Sequence, residues 1–369
     1  MGAQRALCDT NAWTGPTPAG IDRRTMLARA AAASAVLALP VPALARPRAD
    51  VTVSTRAASG HVPTLAAALD LARAARRPFR IHLSAGTWRE KLTIDTPGVM
   101  IFGDGPASIL THGTAAGHRR PDGQRWGTGG SATLTVTAPD VTLSGLTIAN
   151  DFDYLTDQRI QASGGAQAVA LAFFTGADRS VVRDCRIDGY QDTFYLREGS
   201  AWIERCRISG GTDFIFGGAA ARFHACEIVS RKVAGDIAGF VAAPSTPAVQ
   251  PVGLVFTDCR LTREAGLADG SVYLGRPWRA GGNMALTGSA AFVRCWMDAH
   301  IARDGWTSMG YTAPDGQRTQ LTPQEARLVE FASRGPGAGP AAATRRIIDA
   351  RAARALTHAT EFTDWRSRA

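Results

Sequence analysis

The chain reads as an all-β solenoid of stacked coils, an expectation that rests on three observations. One segment recurs: Val182-x-x-Cys185-x-Ile187, Ile203-x-x-Cys206-x-Ile208, Phe223-x-x-Cys226-x-Ile228, Phe256-x-x-Cys259-x-Leu261 and Phe292-x-x-Cys295-x-Met297, with Val141-x-x-Ser144-x-Leu146 as an earlier, cysteine-free version. The repeat is about twenty residues long and its apolar residues alternate, as in one coil of a stacked β architecture. The spacing grows to about 35 residues only where Arg231–Pro251 and Thr262–Asn283 add loops, and inserts of this kind usually fall on one face and wall a groove.

Residues 22 to 45, DRRTMLARAAAASAVLALPVPALA, put Arg23 and Arg24 ahead of a short Ala-rich apolar run that closes on Ala43-Leu44-Ala45. This predicts an export signal over 1–45 rather than a membrane anchor, either of twin-arginine type or an ordinary secretory one. The mature chain, 46–369, is then expected in the periplasm or outside the cell, off the membrane. Thr64 N-caps a helix over about 65–77 with Leu65, Leu69 and Leu71 on its apolar side. Short strands follow at Arg80–Leu83 and Lys91–Ile94, so the helix covers the open end of the solenoid. Further coils read from 99–105, 132–138 and 141–150, with a Gly-, His- and Arg-rich loop between Thr111 and Gly130.

The five repeat cysteines occupy one column. Either they form an inward-facing sulfur ladder in the core, or adjacent coils are bridged, Cys185–Cys206 being the best pair in an oxidising compartment. A single-file column cannot close a tetrahedron and no C-x-x-C pair occurs, so no metal is expected. After Trp306 the repeats fade: Pro323–Phe331 and Arg345–Ala355 read as helices of a tail packed along the outside, with Arg345, Arg346, Arg351 and Arg354 as its solvated face.

Net charge is +9, and all but Lys91 and Lys232 of the 41 Lys and Arg residues are arginine. Such a balance suits a polyanionic partner, or simply a surface of solvated arginines. No basic tract or aromatic RNA-binding signature accompanies it, which argues against nucleic acid.

The first two cysteine repeats each lead, at the same offset, into an aspartate: Asp192 and Asp213. Stacking sets equivalent positions about 4.8 Å apart, and two carboxylates that close cannot both ionise cheaply, so one keeps its proton. The pair supplies one acid and one base or nucleophile. Gln191 beside Asp192, and Gln167 a coil upstream, carry uncharged N–H donors of the kind an oxyanion hole needs.

GYQDTFY, GGTDFIFGGA, YLGRPWR and QAVAL together resemble the four signature segments of the pectin methylesterases, in order and in separation. Weaker similarity extends this over residues 51 to 337. The resemblance implies a single-stranded right-handed parallel β-helix with an N-terminal capping helix and a C-terminal helical tail. It implies hydrolysis of the methyl esters of homogalacturonan to pectate and methanol, without a cofactor; a monomer is expected. By the same resemblance Asp213 is the nucleophile, and Asp192 is the acid that protonates methanol and then the base that activates water. Gln167 and Gln191 are the oxyanion donors, Arg276 pairs with Asp213 and holds it ionised, and Trp278 is a platform under a sugar ring. Phe214, which alternates with Phe216 about Ile215, is a further candidate for substrate contact, as are Tyr190 and Trp306. Departures from the family pattern are Phe194 for Leu, Gly211-Thr212 for Thr-Val and Gly218 for Asn; Met309, where plant members often carry Trp, points to a microbial type.

Two other readings compete. Another β-helix enzyme, a polygalacturonase-like hydrolase or a lyase, would cut the polymer rather than release methanol. A non-catalytic polysaccharide-binding solenoid would have no need of all six matched positions. A Ser-His-Asp hydrolase is disfavoured, since no G-x-S-x-G occurs.

Overall fold

From Val51 to Phe331 the chain winds through parallel coils that lay strands on three long sheets of eleven, eight and seven strands. The computed structural model describes residues 47–233, 239–313, 315–359 and 362; the predicted export signal lies outside them. One coil runs Ser180–Arg183, Arg186–Asp188, Phe194–Leu196, and the next Ser200–Glu204, Arg207–Gly210, Ile215–Gly217. In register, Val182 lies on Ile203, Ile187 on Ile208 and Phe194 on Ile215. The fold is a parallel β-helix.

Its core is a set of columns. Cys185, Cys206, Cys226, Cys259 and Cys295 are all free and at most 2% exposed, which is the sulfur-ladder arrangement. Burial pushes the thiols of Cys185, Cys206, Cys226 and Cys259 well up, away from thiolate chemistry. Beside them Phe223, Phe256 and Phe292 stack with ring centres 4.5 and 4.4 Å apart. The residue before each cysteine takes a left-handed backbone (Asp184, Arg205, Ala225, Asp258, Arg294) and turns the chain from the first sheet into the second. The earliest copy follows the same rule at Gly145, but in a different register from the sequence reading. Leu143 lies on Val182 and Ile148 on Ile187, so the copy is Leu143-x-x-Leu146-x-Ile148.

Thr64 caps the helix Leu65–Ala75 by accepting from the Ala67 N–H. Its inner face is Leu65, Ala68, Leu69 and Ala72, the i, i+3, i+4, i+7 set. Leu71 is 44% exposed, a correction that follows from its place, six residues after Leu65 and off that face. The inserts at Arg231–Pro251 and Thr262–Asn283 are not loops throughout, since each contributes a strand of the third sheet, Gly239–Pro244 and Val272–Gly275.

The tail corrects two helix expectations. Pro323–Glu325 is a single 3-10 turn and Arg327–Phe331 is a strand that pairs in parallel with Ser289–Val293, because an open sheet edge was still waiting for backbone partners. The last helix is Ala350–Thr357, started by the Asp349 cap, and Ala353 and Phe362 pack against Trp202, Val255, Ala291 and Val329 on the outside of the first sheet. Arg346, Arg351 and Arg354 are exposed. Arg345 is fully buried in a two-pronged pair with Glu330, both bonds 2.9 Å, and caps the Gly337 carbonyl at 3.0 Å. It closes the end of the core.

Candidate active site

Between the second and third sheets the chain turns through Gly189–Asp192 in one coil and Gly210–Asp213 in the next. Gln191 and Thr212 form a parallel bridge, and the Asp192 N–H donates to the Thr212 carbonyl at 3.0 Å. Asp192 (φ 62°) and Asp213 (φ 46°) both adopt the left-handed region, which aspartate tolerates better than most side chains. The same turn repeated one coil on brings both carboxylates into one cavity of about 370 Å³.

Their surroundings differ. Asp213, 8% exposed, is gripped by Arg276, whose Nε donates to Oδ1 at 2.9 Å and Nη2 to Oδ2 at 2.6 Å. The guanidinium carbon itself lies over the Phe240 ring, 3.9 Å from its centre. Asp192 makes no ion pair among the described residues. Burial, and then the charge of Asp213, push its carboxyl well above the usual carboxylate range, with Arg276 opposing. One carboxylate is thus gripped at both oxygens by arginine, and the other favours its proton.

Gln167 and Gln191 line the same cavity, and neither side-chain amide has a hydrogen-bond partner among the described residues. Their backbones are tied coil to coil, the Ala168 N–H donating to the Gln191 carbonyl at 3.1 Å. Trp278 also lines the cavity and leans on Tyr195 and Phe216, which stack on each other at 4.2 Å. The arrangement offers a nucleophile or base, a protonated acid, two neutral donors and an aromatic wall.

Asp192, Asp213, Gln167, Gln191, Arg276 and Trp278 are therefore together. Two expected substrate contacts are not with them. Phe214 is fully buried in the core, because the left-handed turn at Asp213 breaks the alternation and sends both Phe214 and Ile215 inward; Phe216 is the ring at the cavity. Trp306 is fully buried against Phe292, capping the phenylalanine column. Tyr190 stands behind the dyad, half-buried between Tyr154 and Arg231. The sequence reading did not name Thr128, Gly129, Tyr195 or Ala243 at the cavity, and gave Met309 only as a departure. Tyr195 was recoverable, since it alternates with the inward Phe194 and Leu196; the loop that delivers Thr128 and Gly129 carries no such pattern.

The sequence profile of the Pectinesterase family matches residues 50–364. Pectinesterase A of Dickeya chrysanthemi is 36% identical over 336 residues, 86% of this chain and 91% of that protein. Among solved structures, pectin methylesterase of Erwinia chrysanthemi superposes with a TM-score of 0.80 at 34% identity, over 86% of this chain and 98% of that one. A pectin methylesterase in complex with a hexasaccharide gives a TM-score of 0.81 at the same identity and coverage.

Proposed function

We propose, for a chain that belongs to the pectinesterase family and hydrolyses the methyl esters of pectin, that the two stacked aspartates divide the reaction, Asp213 making and breaking the bond to carbon and Asp192 moving the proton. The observation that supports this division most directly is the asymmetry of the pair. Arg276 engages both oxygens of Asp213, while Asp192 has no such partner and is pushed towards its neutral form.

In the first half, a carboxylate oxygen of Asp213 attacks the carbonyl carbon of a galacturonate methyl ester. Negative charge moves onto the carbonyl oxygen, where the amides of Gln167 and Gln191 can donate to it. As the tetrahedral intermediate collapses, the C–OCH₃ bond breaks and Asp192 gives its proton to the departing oxygen, releasing methanol. An acyl anhydride with Asp213 remains. In the second half Asp192, now a carboxylate, takes a proton from water as that water attacks the acyl carbon. The anhydride bond breaks, Asp213 is restored as an anion, Asp192 is again protonated, and the new carboxylic acid leaves and gives up its proton to solvent as pectate. Two moderate barriers replace one high one. Trp278 offers a face for a neighbouring sugar ring.

Export through residues 1–45, to the periplasm or outside the cell, fits a polymeric substrate; no described helix is long and apolar enough to cross a membrane. The test of the division of labour is a galacturonate aryl ester, whose leaving group needs no proton. Asp192→Asn is expected to lose methanol release from pectin yet release one equivalent of phenol per enzyme and stop, whereas Asp213→Asn releases none. A burst from Asp213→Asn would refute the assignment.

A further inference from the structure

Arg231 follows the strand Glu227–Ser230, one coil beyond Asp213 and two beyond Asp192. Its main-chain N–H donates to the Gly210 carbonyl at 2.8 Å. Its side chain reaches back past that coil to the one before. Nη1 donates to the Gly189 carbonyl at 3.0 Å and Nη2 to the Tyr190 hydroxyl at 2.8 Å, with the guanidinium carbon 3.7 Å from the centre of the Tyr190 ring. Nε donates to Glu264 Oε1 at 3.0 Å, and the other Glu264 oxygen accepts from the Lys232 N–H at 3.1 Å. All three guanidinium nitrogens are therefore engaged, each by a different group.

Tyr190 completes the joint. Its carbonyl accepts from the Gly211 N–H at 2.7 Å, and its ring stacks on the buried Tyr154 at 5.2 Å. The crossing also depends on Gly211. A Cβ there would come within 2.4 Å of Val233 Cγ1 and 3.4 Å of the Arg231 carbonyl. This is where the sequence departs from the resemblance, with Gly211-Thr212 in place of Thr-Val, so the departure makes room for the segment that carries Arg231.

We infer that Arg231 is a positioning residue for the ester hydrolysis: its guanidinium, held by Glu264, grips Gly189–Tyr190, the opening of the turn that ends in Asp192, from a main chain tied to Gly210, the opening of the turn that ends in Asp213, and so the side chain fixes where Asp192 sits relative to Asp213. It is not among the residues lining the cavity, so it acts through the turns and not on substrate. The inference rests on Asp192 and Asp213 being the reacting pair. Displacing a reacting group by about 1 Å can cost on the order of 100-fold in rate, and the guanidinium holds the turn that carries Asp192.

The test compares wild type with Arg231→Met, which keeps length but no donors, Arg231→Lys, Tyr190→Phe and the double variant Arg231→Met/Tyr190→Phe, each normalised to folded protein by circular dichroism. Arg231→Met is expected to lower kcat on highly methylated pectin by about 10- to 100-fold with KM within about 2-fold of wild type. Arg231→Lys should recover part of the loss, and the double variant should be no slower than Arg231→Met alone, because both substitutions break one joint. Wild-type kcat in Arg231→Met, or a loss confined to KM, overturns the inference. Should Arg231→Met not fold, Arg231→Lys and Tyr190→Phe, which each break part of the grip on Gly189–Tyr190, carry the test; wild-type kcat in both overturns it equally. Asp213→Asn in the same series separates the two levels of the argument. If it retains activity, the reacting pair is misassigned; if it is inert while Arg231→Met turns over normally, only the positioning role fails.

Discussion

Asn in place of Asp192 mimics the protonated carboxyl at every pH, and the contrast with wild type should appear in stability as well as in activity. In the folded chain the Asp192 carboxyl is raised well above its ordinary 3.8 by burial and by the charge of Asp213; in the unfolded chain it returns to that value. A group whose folded value is raised contributes stability that is complete below the unfolded value and is lost as pH climbs to the folded one. The loss amounts to about 1.4 kcal/mol for each pH unit in that window. Asp192→Asn has no such proton to lose. Its stability relative to wild type should therefore grow from pH 4 upward, at close to this slope, and level off once wild-type Asp192 ionises in the fold. Urea unfolding of both proteins from pH 3.5 to 8 measures the difference directly, and ionisations common to both cancel. Parallel curves across that range would refute the raised acid, and with it the reason for giving Asp192 the proton.

Other predictions probe the parts of the fold that the site relies on. A thiol reagent should find none of Cys185, Cys206, Cys226, Cys259 and Cys295 in the native protein and all five after denaturation without reductant; fewer in the denatured chain would reveal a bridge. Phe214→Ala should cost about 3–5 kcal/mol of stability while KM of the remaining folded enzyme is unchanged, as expected for a core ring and not a substrate contact. Arg345→Ala, which strands a buried Glu330, should cost about 3–5 kcal/mol, and Arg345→Met with Glu330→Leu should regain most of it; equal losses in the single and double variants would contradict the buried pair.

The stacked repeat, the cysteine column and the stacked aspartates were legible because each coil repeats its spacing, so one period carries both the fold and the juxtaposition of Asp192 with Asp213. Legibility ended where a residue's environment is set by something other than its own coil. The strand Arg327–Phe331 looked helical because the edge it completes, Ser289–Val293, lies far back in sequence. Arg345 looked like surface charge because its partner, Glu330, belongs to that same misread strand. Phe214 and Phe216 looked equivalent because period-two alternation assumes extended backbone, and the left-handed turn at Asp213 is invisible to it. Arg231 gave no signal at all, for its reach across a coil depends on Gly211, which read only as a departure.

The central claim is that a carboxylate oxygen of Asp213 forms the bond to the ester carbon. Methanol release from highly methylated pectin by Asp213→Asn, set beside wild type, tests it most directly, since the substitution keeps the size of the side chain and one oxygen able to accept from Arg276. The account predicts a folded protein whose methanol release falls by at least about 1,000-fold, in line with the loss of a nucleophile. Methanol release at the wild-type rate would contradict it.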